Sequence, residues 1–273
     1  MKLFKTIIPC ALTAVAGLIA ESCAKPETDS TIEFVTRVDS VGYMIPDFFG
    51  DTVFTASKYS VVWPEKIGRT DFDALRDSLL NLTFGTDSPD SFDKATQQFM
   101  TTALDGLRDE SDSTFTYKKV PYTEAYDNNR NNISIINSNV TLLTPDVLVV
   151  QVYNYEYRYG MAHGMQTERF LNYSIANHSL MTPENTFKPQ NGTAILDLIN
   201  AEARKRYPGE GTLFAEPIAS FDNFQITEEE IVFVYQPYDV APYSTGIVRV
   251  PVSQYDLYRF LTPEAIKTLG LDN

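Results

Sequence analysis

The sequence predicts an α+β protein with mixed and antiparallel sheets and a few packed helices. Strand-like and helix-like segments follow one another without the strict alternation that a doubly wound parallel sheet requires. Period-two apolar and aromatic patterning dominates, and helical spacing is confined to a few short windows. Across 273 residues, 43% hydrophobic and 12% aromatic content supplies enough apolar side chain for a folded core and argues against disorder. No tandem repeat or low-complexity segment is visible.

The chain opens on Met1-Lys2-Leu3-Phe4-Lys5, an apolar run from Thr6 to Ala20, and then Glu21-Ser22-Cys23-Ala24. This is the layout of an export signal over residues 1–22. The apolar run contains Pro9 and falls short of the roughly 20 residues a spanning helix needs. Ser22 and Ala20, small residues before Cys23, resemble the lipobox at which bacterial lipoproteins are cut and acylated, although Glu21 departs from that pattern. Acylation of Cys23 would tether residues 24–30 and the domain behind them to a membrane, through acyl chains contributing about 0.8 kcal/mol per buried methylene. Cleavage after Ala24 is the competing outcome. The expected location is the cell envelope, lipid-anchored at the outer membrane on its periplasmic or surface face.

From residue 31 to 129 the sequence reads as an N-terminal α+β region. Thr31-Ile32-Glu33-Phe34-Val35 and Tyr59-Ser60-Val61-Val62-Trp63 read as short strands among Gly, Pro and Asp turns. Thr70 and Asp73 suggest an N-cap ahead of Phe72, Leu75, Leu79 and Leu82; Ser91 opens a second helix with Phe92, Phe99, Ala103 and Leu107. Residues 130–273 form a C-terminal α+β region. Val147, Val149, Tyr153, Tyr155, Tyr157 and Tyr159 fall on one face of a strand, and Phe170, Asn172 and Ser174 lie on the return strand after a Gly160 to Gly164 turn. A helix follows Thr193 and ends by Gly209 and Gly211; strands are expected at Phe221 to Ile226, Ile231 to Tyr235 and Gly246 to Val252. Thr262-Pro263-Glu264 caps a final helix that stops at Gly270.

The chemistry available is narrow. Cys10 and Cys23 are the two cysteines, so the region after Cys23 offers no disulfide, thiol nucleophile or thiolate metal site. His163 and His178 are the two histidines, and no metal-ligand spacing accompanies them. His163, in Gly160-Met161-Ala162-His163-Gly164, would sit at a sheet edge near Tyr157 and Tyr159, and no spacing selects a carboxylate to orient it as a base. Among 36 Asp and Glu residues no spacing selects a glycosidase pair; Glu228-Glu229-Glu230 reads as an acidic first turn favoured by a helix dipole. Phosphate-binding, dinucleotide-binding and nucleophile-elbow motifs are absent, so no catalytic residue, metal or cofactor is expected. A net charge of −14 without a Lys/Arg cluster makes nucleic acid a poor partner and would steer a basic protein toward the surface. Ser30, Ser40, Thr52, Ser78 and Ser113 each follow Asp and precede Thr, Val or Leu, a pattern that resembles an O-glycan acceptor of some Gram-negative exported proteins, and caps or turns are the alternative role for them.

The densest local signal is Val234-Tyr235-Gln236-Pro237-Tyr238-Asp239-Val240-Ala241-Pro242-Tyr243-Ser244-Thr245-Gly246. Prolines limit its freedom, and its tyrosines either offer large contact area to a partner at small entropic cost or pack the loop against the domain's own core. With Tyr157-Arg158-Tyr159-Gly160-Met161-Ala162-His163-Gly164 upstream, it resembles the extracellular domain of the lysozyme-sensing anti-sigma factor RsiV, also found beside the catalytic domain of a peptidoglycan deacetylase. The resemblance spans about residues 130 to 262; Met161 stands where that family has glycine. It implies a non-catalytic α+β binding module outside the cytoplasmic membrane, with lysozyme or cell-wall glycan as partner. The candidate contact residues are Tyr235, Tyr238, Asp239 and Tyr243, together with His163 and Tyr157. A hydrolase of envelope carbohydrate and a purely structural lipoprotein are the alternative readings.

Overall fold

The computed structural model describes residues 32–46, 51–67, 73–85, 91–105, 116–126 and 130–272. The export signal, Cys23, the tether, the Thr70 cap, Phe72, Leu107, Ser30 and Ser113 lie outside them. The fold is mixed α+β, with a seven-stranded sheet, a three-stranded sheet and several helices.

β1 (Ile32–Pro46) and β2 (Thr52–Ile67) form one long antiparallel hairpin where the sequence suggested short strands and turns. Gly42 lies inside β1 because α3 (Tyr122–Tyr126) crosses there: an added Cβ would stand 2.7 Å from that of Ala125 and 2.8 Å from the Pro121 carbonyl oxygen. A strand glycine marks close backbone approach as readily as it marks a turn. α1 (Asp73–Phe84) and α2 (Phe92–Asp105) cover the opposite face, where Leu75, Leu79 and Phe92 join Tyr59, Val61, Trp63, Val150, Val152 and Leu171 in one core.

β3 (Lys118–Val120) pairs with β1, and β4 (Asn131–Leu143), β5 (Val147–Tyr157), β6 (Met165–Ser174) and β7 (Ser179–Leu180) complete the order β3-β1-β2-β4-β5-β6-β7. The β2–β4 pair is parallel, from Phe54 opposite Asn131 to Ser60 opposite Asn137, so one sheet runs through residues from both sequence regions.

On the other side, α4 (Pro183–Thr186), α5 (Gly192–Arg206), α6 (Gln254–Leu257) and α7 (Pro263–Thr268) gather around an antiparallel sheet of β8 (Phe224–Ile226), β9 (Glu230–Tyr235) and β10 (Val248–Ser253). Val147 and Val149 share a second core with Ile195, Ile199, Phe224, Ile231, Phe233 and Val250. Thr262 caps α7 as the sequence indicated, accepting from the Ala265 amide. The acidic run is a hairpin turn between β8 and β9 and not a helix start: Thr227 Oγ1 accepts from the Glu230 amide at 3.0 Å. Among the described residues no helix is long and apolar enough to cross a membrane.

The two sheets meet edge to edge without merging. β7 pairs only with Tyr173 and Ser174, which leaves the rest of the outer edge of β6 without a strand partner. Side-chain amides take the place of a neighbouring strand. Gln236 accepts from the Glu168 amide at 2.8 Å and donates to the Glu168 carbonyl at 2.6 Å. Asn223 donates to the same carbonyl at 2.9 Å and accepts from the Phe170 amide at 3.2 Å. Asn172 reaches the other way, donating to the Phe224 carbonyl at 2.8 Å and accepting from the Ile226 amide at 3.0 Å. A primary amide carries the same donor and acceptor as a peptide unit, so it can satisfy edge groups that burial would otherwise leave unpaired.

Candidate functional site

The same junction aims the aromatic loop at the β5–β6 turn. Gln236, anchored on β6, begins the loop, and Asp239 fixes its curvature by accepting from the Gln236 amide at 2.7 Å while donating its own amide to the Gln236 carbonyl at 3.0 Å. Between them Tyr238 adopts φ +75° with its side chain 50% exposed. A non-glycine residue in this region costs about 1–3 kcal/mol and persists only where its surroundings fix it. Here the Tyr238 amide donates to the Ala241 carbonyl at 3.0 Å, and Pro237 and Pro242 flank the turn.

Tyr238 and Tyr243 converge on His163. The rings of His163 and Tyr243 stack at 3.6 Å between centroids and 15° between planes, and the Tyr243 hydroxyl donates to the Gly164 carbonyl at 2.7 Å. His163 Nδ1 lies 3.2 Å from that carbonyl and Nε2 lies 3.1 Å from the Tyr238 hydroxyl. A carbonyl can only accept, so this contact needs the proton on Nδ1, and Nε2 shares a hydrogen bond with the Tyr238 hydroxyl. Both nitrogens are thereby engaged, and among the described residues no carboxylate is hydrogen-bonded to the imidazole. This geometry offers a fixed aromatic surface and no oriented general base.

Tyr235 is not on that surface. It is buried, its hydroxyl donating to the Ser220 carbonyl at 2.9 Å, and burial reinforced by Asp222 and Asp239 pushes its pKa far above the usual tyrosine range. Its role is to hold the end of β9. Tyr157 also stands apart: it pairs across from Ile133, and among the described residues no hydrogen bond or ring contact joins it to His163. Tyr159, expected beside the imidazole, instead donates its amide to Asn132 at 2.9 Å and places its ring under the Arg130 guanidinium.

Three neighbours lie outside the contact residues the sequence proposes, although Tyr153 and Tyr155 are legible as one strand face. Tyr155 lies directly against Gly164, where an added Cβ would meet its ring at 2.4 Å, so the glycine is what lets the turn close over the tyrosine. Glu168, buried on β6, receives the Arg249 guanidinium from β10 on both carboxylate oxygens. Tyr153, on the same strand face as Tyr155, has its pKa raised by burial first, then by Tyr155, Glu168 and Tyr243. Only register brings these residues together, and no local motif contains them. Among the described residues no three His, Cys, Asp or Glu side chains converge as a metal would require. Of the serines and threonines that follow Asp, Ser40 and Thr52 are exposed, and Ser78 Oγ donates to the Ala74 carbonyl inside α1.

Residues 184–255 match the family model DUF3298, described as a protein of unknown function. That segment runs from α4 through the three-stranded sheet and contains the Tyr238–Tyr243 loop, while His163 lies before it. A DUF3298 family protein of Bacteroides fragilis NCTC 9343 has a similar structure, with a TM-score of 0.65 at 20% identity over 89% of this chain and 98% of that one. A DUF3298 family protein of Pseudomonas aeruginosa PAO1 gives a TM-score of 0.55 at 14% identity, covering 87% and 98%. At these identities the likeness shows the fold alone. No curated protein matches the chain.

Proposed function

We propose that this chain is a non-catalytic binding protein of the cell envelope, anchored through an acylated Cys23. Its recognition surface is the cluster of His163, Tyr238 and Tyr243, and its partner is a muramidase or a peptidoglycan-type glycan. The observation that carries this reading is Tyr238, half exposed, held at φ +75° and bonded to His163 Nε2 at 3.1 Å. Strained backbone that presents an aromatic ring to solvent is the kind of arrangement binding sites keep. The partner class rests on the resemblance to the lysozyme-sensing ectodomain. Its two motif segments, far apart in the chain, meet at this contact.

Calorimetric titration of the chain with lysozyme and with soluble wall fragments tests the reading, repeated with Tyr238→Ala after circular dichroism shows the variant folded. Loss of an anchoring tyrosine should cost about 2 kcal/mol, roughly thirtyfold in affinity. Absence of binding by the unsubstituted chain at high micromolar concentration rejects the partners; equal binding by the folded variant rejects the surface. The anchor is checked separately by the mass of the native N-terminal peptide: one beginning at an unmodified Lys25 rejects acylation.

A further inference from the structure

We infer that a groove on the other flank of the 236–245 loop docks a basic segment of a partner protein, a lysine or arginine side chain beside an apolar one. A cavity of about 600 Å³ opens between β6, the end of β9 and the loop that follows α5. Its lining includes the apolar Leu82, Phe170 and Phe214, the last 41% exposed, and the acidic Glu216, Asp222 and Asp239, against which Arg169 is the basic side chain among the described lining residues.

Asp222 and Asp239 come from different loops, and both raise the pKa of Tyr235, which lines the same groove. A lysine or arginine laid there buries its methylene stem on the phenylalanines and keeps its charged head at the carboxylates, the arrangement long cationic side chains favour. A neighbouring apolar residue fills the rest of the groove. Three carboxylates against one guanidinium repel an anionic segment, and the chain's net charge of −14 steers a basic one inward. A bare metal ion does not fit, since no three ligating side chains converge among the described residues. This inference is independent of the proposed function, because the groove uses Asp239 and the loop after α5 where the other surface uses Tyr238, Tyr243 and His163.

The test is fluorescence anisotropy of a labelled eight-residue peptide alternating lysine and leucine, titrated with the full chain, with an alternating glutamate and leucine peptide as control. Glu216 is exposed, and Asn at position 222 still accepts from Ser220 Oγ, which Asp222 now does at 2.6 Å. The Glu216→Gln, Asp222→Asn double variant should therefore fold and bind the basic peptide at least about tenfold more weakly, whereas Arg169→Ala should bind it more tightly. Tyr238→Ala should leave its affinity unchanged. No saturable binding by the unsubstituted chain, equal affinity for the control peptide, or undiminished affinity in the double variant would each overturn the inference.

Discussion

Asn172→Leu should destabilise the protein by about 4 kcal/mol, because it strips hydrogen bonds from two buried backbone groups at about 1–3 kcal/mol each. The side chain is 4% exposed and serves the Phe224 carbonyl and the Ile226 amide at once, just before the short stretch of β6 that β7 covers. Leucine keeps the branched shape and offers neither donor nor acceptor, so no cavity is left to add to the polar loss. Urea unfolding read by circular dichroism measures it as a lowered midpoint at unchanged slope. A difference below about 1 kcal/mol would mean that water replaces the amide and that the bridge between the sheets is dispensable.

The second large effect concerns the ion pair. Arg249→Met leaves the Glu168 carboxylate buried without its guanidinium. Removing one partner of a fully buried pair costs about 3–5 kcal/mol, but the Arg249 side chain is 44% exposed and solvent screens part of the interaction, so about 2–3 kcal/mol is expected. Adding Glu168→Gln removes the orphaned charge and should restore most of the loss, giving a positive coupling in the double-mutant cycle. Additive costs would show that the pair contributes through each residue's packing and not through charge.

These two sites mark where the sequence stops being legible. Period-two runs give most of the strands, and the Thr262 cap and the His163 turn are local patterns that sequence reading locates. The approach of Tyr238 to His163 is foreshadowed by two motifs of one resembled family that lie far apart in the chain. Asn172, Asn223, Gln236, Glu168 and Arg249 carry no such signal, because each acts on a partner many residues away whose position depends on strand register. The length of β1 was hidden for a related reason: Gly42 and Asp39 look like turn residues until the crossing of α3 explains the glycine. Asp39 instead uses its carboxylate to accept from the Ser40 amide at 2.7 Å on an exposed stretch of β1. Tyr235 shows the converse difficulty, since composition does not separate a tyrosine that packs from one that faces a partner.

The parallel pairing of β2 with β4 has a consequence for the order of folding. Thr55 and Asn132, neighbours across this seam, are separated by 77 residues in the chain, whereas β4 and β5 close through a tight turn in which the Thr144 amide donates to the Val147 carbonyl at 2.9 Å. Joining β2 to β4 from an open chain spans roughly four to five more doublings of loop length than closing that hairpin, an added entropic cost of about 2.5–3 kcal/mol. Contacts of this range are rewarded only after the local hairpins on either side have formed, which makes the seam a late event and the slow one. Until it closes, the edges of β2 and β4 both remain open templates for strand pairing with another molecule. The hazard for this protein therefore lies less in its native surface than in the interval before its two halves have joined.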